Sequence, residues 1–102
     1  VVLVAGNRGA MIKKVQALIR KYKKAGKKVG VIASSETAKH YNEADYVAVI
    51  STRNNLKMAA HKLFRALRKF DDERVDIIFT ETFREEGIGK AVMDRLKRAA
   101  TN

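Results

Sequence analysis

The sequence predicts an α/β domain: a three-layer, Rossmann-like parallel sheet of four strands with helices on both faces. Three observations predict it. Four short apolar runs are rich in β-branched residues and near-continuous, as strands covered on both faces are. Helical patterns separate them, giving the order βαβαβαβα, which implies a parallel sheet. The chain has 102 residues, of which 46% are hydrophobic, enough for one domain with one buried interior.

The strands are expected at Val1–Ala5, Val29–Ala33, Tyr46–Ile50 and Val75–Phe79. The first helix is expected from Gly9 to Ala25, with Ile12, Val15, Leu18, Ile19 and Tyr22 on its apolar stripe. Gly26 is a natural terminator, free to adopt positive φ. The second helix is short. Ser34 or Ser35 is its candidate cap, Glu36 favours its first turn, and it ends near Tyr41–Asn42. The third helix has Asn54 or Asn55 to cap it and an apolar face of Leu56, Ala59, Ala60, Leu63, Phe64, Leu67 and Phe70. The last begins near Ile88 and turns Ala91, Val92, Leu96, Ala99 and Ala100 inward. With right-handed crossovers, the expected strand order is 3-2-1-4, the first strand central.

No run approaches the ~18–20 apolar residues of a membrane span, and no signal segment opens the chain. Cysteine is absent, which removes disulfides and thiolate metal sites and fits a cytoplasmic protein. A chain that opens directly on an apolar strand is expected to be cut from a longer one. The formal net charge is +11, from 22 Lys+Arg against 11 Asp+Glu. Such a charge attracts polyanions, nucleic acid first among them; a solvated basic surface is the plainer reading. Lys13, Lys14, Lys21, Lys24, Lys57, Arg65 and Lys69 lie on outer helical faces. Only Tyr22 and Tyr41 stand near them as bases could require for stacking.

In an open parallel sheet, ligands sit beyond the carboxyl ends of the strands. That edge carries Gly6–Gly9, Ser34–Ser35, Ser51–Arg53 and Glu81–Gly89. Gly6-Asn7-Arg8-Gly9 matches neither a dinucleotide fingerprint nor a Walker loop, so a tight turn is expected there. Glu81, Glu85 and Glu86 could hold Mg²⁺ or move protons, yet no His or Cys joins them. His40 and His61 lack a surrounding ligand set, and Ser34, Ser35 and Ser51 lack a nucleophile-elbow context. No catalytic, cofactor-binding or metal-ligating residue is therefore expected in this chain.

One pattern exceeds generic physics. Leu63-Phe64, Leu67-Arg68, Asp71, the run Val75–Glu81, Gly87-Ile88-Gly89, Ala91 and Arg95-Leu96 together resemble the C-terminal accessory domain of the two-domain threonylcarbamoyl-AMP synthases. The first half adds mainly Lys28–Ser34, KVGVIAS. The chain has Asp94-Arg95 where the family usually has Asn-Arg.

The resemblance implies a whole enzyme of nucleotidyltransferase type. It joins ATP, L-threonine and bicarbonate into threonylcarbamoyl-adenylate for the threonylcarbamoyladenosine modification of tRNA. ATP, with Mg²⁺, belongs to an N-terminal catalytic domain. A linker with a Lys-Tyr-x-His-Tyr-type run crosses the active site before this domain. Residues 1–102 are then an accessory domain without catalytic residues, a regulatory or structural support. Its expected partner is the catalytic domain, met through Arg53, Glu81, Glu85, Glu86, Gly87, Gly89 and Arg95. The alternatives are an electrostatic tRNA-binding module and an independent nucleotide-binding α/β domain.

Overall fold

The computed structural model describes residues 1–52, 58–83 and 87–101. The elements are β1 (Val2–Val4), α1 (Arg8–Lys24), β2 (Val29–Ser34), a 3₁₀ turn (Ala38–Tyr41), β3 (Tyr46–Ser51), α2 (Ala59–Asp72), β4 (Ile77–Glu81) and α3 (Ile88–Thr101). The strands form one four-stranded parallel sheet, between α1 on one face and α2 with α3 on the other. The expected fold class is thus the observed one.

Within the sheet, the order is β1-β4-β2-β3. Counted from the β3 edge it runs 3-2-4-1, against the expected 3-2-1-4. The β3–β2 neighbourhood is as expected, but β1 and β4 exchange places. Burial explains the exchange. β4 ends in three fully buried residues, Phe79, Thr80 and Glu81, so it needs a strand on each side. β1 supplies three residues and leaves Val2 exposed, the form an edge strand takes. β4 aligns Val29↔Ile77 and Val31↔Phe79 with β2, and Val2↔Phe79 with β1.

β2 is the spine, buried along its whole length. Val29, Val31 and Ala33 join Val4, Phe79 and Tyr41 beneath Met11, Val15 and Ile19 of α1. Ile32 joins Ile50 beneath Leu63 and Phe70 of α2 and Val92, Met93 and Leu96 of α3. Gly30 has a packing role: a Cβ there would stand 3.2–3.3 Å from the Phe70 ring.

The helix ends follow local chemistry. Asn7 caps α1, its Oδ1 accepting from the Ala10 N–H at 2.9 Å, so the helix starts one residue before Gly9. At the other end, Gly26 adopts φ +78°. The Lys27 N–H reaches the Tyr22 carbonyl and the Gly26 N–H that of Lys23, both at 3.0 Å, which together form a Schellman cap. α2 ends in the same way: the Val75 N–H bonds to the Phe70 carbonyl and the Arg74 N–H to that of Asp71. Here the left-handed residue is Arg74, at φ +56°.

Several expected details change. The second helix is one 3₁₀ turn without a side-chain cap; the Ser34 and Ser35 hydroxyls bond instead to Thr37 and Glu36. Asn54, Asn55 and Leu56 lie outside the described residues. Phe64, expected on the apolar face of α2, is 52% exposed, and Ala66 is buried in its place. In α3, Ala91 faces solvent while Met93 is buried.

Two carboxyl groups clamp the amino edge of β2. Asp76 accepts from the Lys28 N–H and Asp45 from the Val29 N–H, each at 2.7 Å. Asp45 also pairs with Lys23 at 2.7 Å. The Lys23 hydrogen bond, then the Val29 N–H, hold its carboxyl below the ordinary aspartate range, against a smaller opposing effect of burial.

Candidate functional site at the carboxyl edge of the sheet

The chain leaves β2 toward the α1 face, through the 3₁₀ turn. It leaves β4 toward the α3 face. β2 and β4 are neighbours, so the switch-point crevice of this fold opens between them. Glu81 ends β4 at that place.

Its side chain is fully buried and occupied. Oε1 accepts from the Ser34 N–H at 3.2 Å and from the Thr37 hydroxyl at 2.8 Å. Oε2 accepts from the Tyr41 hydroxyl at 2.5 Å. The Ser34 and Thr37 hydroxyls lie 3.0 Å apart, completing the network. Among the described residues no buried side-chain nitrogen or oxygen lacks a partner. In related architectures a phosphate takes backbone N–H groups at such a crevice. Here the carboxyl group of the chain itself takes the Ser34 N–H.

Sequence reasoning marked Glu81 but not its partners. Ser34, Thr37 and Tyr41 stand 47, 44 and 40 residues away. Tyr41 carried the available signal, since a tyrosine needs a partner for its hydroxyl when its ring is buried.

The seven expected interface residues divide. Arg53, Glu85 and Glu86 lie outside the described residues. Glu81 lies inside the fold rather than on its surface. Gly87 is exposed at φ +57° and opens α3, its carbonyl accepting from the Lys90 N–H at 3.2 Å, while Gly89 is buried. Arg95 sits partway along α3 with its guanidinium 5.0 Å from the Phe64 ring, in the groove between α2 and α3 rather than on the edge loops.

At the glycine turn, Gly6 adopts φ +134°. Asn7 takes the Ala10 N–H on its side chain and the Met11 N–H on its carbonyl, both at 2.9 Å. Among the first donors of α1, the Ala10 N–H is therefore engaged by the Asn7 side chain.

His40 and His61 are both exposed. Among the described residues no three His, Cys, Asp or Glu side chains gather as a metal site would require. No described helix is long and apolar enough to cross a membrane. The basic residues fall into separate layers: Lys13, Lys14, Lys21 and Lys24 on α1, Arg65 and Lys69 on α2. Lys57 lies outside the described residues. Tyr41 is fully buried, and the Tyr22 ring lies 5.6 Å from that of Phe79; neither stands as an open platform for a base.

Comparison with known proteins places these features in a family. Residues 1–101 match the family "Threonylcarbamoyl-AMP synthase, C-terminal domain". Threonylcarbamoyl-AMP synthase of Bacillus subtilis is 42% identical over 87 residues, covering 85% of this chain and 25% of the relative. That of Pyrococcus abyssi is 40% identical over 100 residues, covering 98% of this chain and 27% of the relative. Two solved structures of P. abyssi Sua5, one a double-alanine variant and one complexed with L-threonine, superpose with a TM-score of 0.85 at 39% identity. Each covers 98% of this chain and 27% of the solved one. The chain thus spans about a quarter of the length of these relatives. With a parallel sheet of this topology and matches along nearly its whole length, the chain belongs to the family of C-terminal domains of threonylcarbamoyl-AMP synthases.

Proposed function

We propose that this chain is a non-catalytic regulatory and structural domain of a threonylcarbamoyl-AMP synthase. The enzyme it serves makes threonylcarbamoyl-adenylate from ATP, L-threonine and bicarbonate for tRNA modification in the cytoplasm. ATP and its Mg²⁺ are held by the N-terminal catalytic domain, the partner of this one. One observation carries the reading: the switch-point crevice, where this fold class binds ligands, is filled by Glu81 and closed by Ser34, Thr37 and Tyr41. A domain whose ligand position holds its own side chain is suited to supporting a neighbour. Gly87, with Arg53, Glu85 and Glu86, belongs to the edge offered to that neighbour.

The test compares a complete enzyme carrying this domain with the same enzyme shortened to its catalytic part, by formation of threonylcarbamoyl-adenylate. The shortened form should lose activity, and this chain alone should neither bind ATP in calorimetry nor turn it over. Micromolar ATP binding by this chain, abolished by substitution of Gly6 or Gly9, would overturn the reading.

A further inference from the structure

Among the described residues β3 is an edge strand of the sheet, hydrogen-bonded to β2. Edge strands are ordinarily blunted by a charge, a proline or a covering element. β3 reads YVAVIS and contains neither charge nor proline. Tyr46, Ala48 and Ile50 turn toward α2. Val47 and Val49 alternate to the opposite face, where they are 36% and 42% exposed.

Beside this edge runs a groove of about 470 Å³ between β3 and α2. Lys62, Arg65 and Lys69 line it, spaced i, i+3 and i+7 along one face of α2. The lining holds these three cations and no acid. No carboxylate of the described residues pairs with them. Lys69 lies 5.9 Å from the Tyr46 ring, which places a cation near the start of β3.

We infer that β3 and the basic face of α2 form a docking edge for an extended acidic segment of a separate protein, added to the sheet as a fifth strand. The main chain of such a segment would pair with the open backbone groups of β3. Its side chains would alternate: one set over Val47 and Val49, the other beneath Lys62, Arg65 and Lys69. The edge therefore selects a segment with apolar and carboxylate residues at alternate positions. Charge disfavours a second copy, since the chain carries +11 and would bring its cations together. Nucleic acid would find phosphate contacts but would leave the strand edge and the two valines unused. The groove follows β3 from Tyr46 to Val49, short of Ser51 at the carboxyl edge proposed to face the catalytic domain.

The probe is a short fluorescein-labelled peptide alternating Glu and Val, followed by anisotropy and by amide chemical shifts. It should bind this chain and move the Val47–Val49 amides most. Binding should weaken at least about tenfold in a combined Lys62→Glu, Arg65→Glu, Lys69→Glu variant, as rim charges predict. All three positions are exposed, and circular dichroism verifies that the variant remains folded. Absence of binding, equal binding of a Lys-for-Glu peptide, or shifts centred elsewhere would overturn the proposal. So would a single-stranded RNA that displaces the peptide from the same amides at lower concentration. A complete synthase carrying this domain should bind the peptide equally; failure there would give the edge to the enzyme's own polypeptide and overturn the assignment to a separate partner.

Discussion

Replacing Tyr41 by phenylalanine deletes one oxygen from the buried network and leaves the packing of the ring in place. That hydroxyl donates to Glu81 Oε2 at 2.5 Å, in a setting where both residues are fully buried. Leaving a buried hydrogen-bond acceptor without one of its donors costs about 1–3 kcal/mol, so Tyr41→Phe should cost about 2 kcal/mol. Glu81→Ala removes the acceptor shared by the Ser34 N–H and the Thr37 and Tyr41 hydroxyls and leaves a cavity, which should cost about 4 kcal/mol. Against the roughly 5–15 kcal/mol that stabilise a domain, the second change consumes a large share. Urea unfolding followed by far-ultraviolet circular dichroism reads both, with the midpoint falling and the slope unchanged. In a heating experiment Tyr41→Phe should lower the midpoint by roughly 8–16 °C, at about 4–8 °C per kcal/mol for a domain of this size. The double variant supplies the decisive comparison: once Glu81 is alanine, adding Tyr41→Phe should cost far less than it does in the parent. An unchanged midpoint for Tyr41→Phe, or equal costs in the two backgrounds, would refute the idea that this contact ties β4 to the 3₁₀ turn.

Five further substitutions have expected outcomes. Arg74→Gly should stabilise the chain by about 1 kcal/mol, because Arg74 holds φ +56° in the cap of α2, where glycine meets no Cβ penalty; thermal unfolding measures it. Gly30→Ala should destabilise by about 1–3 kcal/mol, since the new methyl would stand 3.2 Å from Phe70, too close for a packed interior. Asn7→Ala should cost about 1 kcal/mol through loss of the α1 cap, while Gly9→Ala should be neutral or mildly stabilising in denaturant titrations. For Asp45 the folded carboxyl titrates below its unfolded value, so its contribution is whole above the unfolded value and is lost as pH falls through the folded one; Asp45→Asn should lower stability at neutral pH and flatten the acid limb of a stability–pH curve.

The identities of the strands and long helices were legible because periodicity is local. Val15, Ile19, Leu63 and Phe70 are buried as their spacing requires. The place of each strand in the sheet was not legible. β1 and β4 both read as apolar runs, and only the partners of residues far along the chain decide which one lies inside. Met11 and Met93 escaped the apolar stripes because local spacing does not determine which side of a helix meets a neighbour. Glu81 shows the same limit at the candidate site. A glutamate after an apolar strand reads as the start of a loop, whereas β4 extends through Glu81 because distant donors satisfy its carboxyl group. The family resemblance, by contrast, lay in scattered identities from Leu63 to Leu96 and did not depend on knowing their positions in space.

The exchange of β1 and β4 has a consequence for synthesis on the ribosome. Val2 stands opposite Phe79 and Val4 opposite Glu81, so among the described strands β1 has no hydrogen-bonding neighbour until β4 has emerged. β2 meanwhile presents a bare flank to the exit region, with only β3 beside it. The sheet closes late, around its final strand, and such long-range closure is slow compared with forming a helix. Chains that stall before residue 77 would keep β1 unpaired and one flank of β2 open, and offer both to chaperones or to one another.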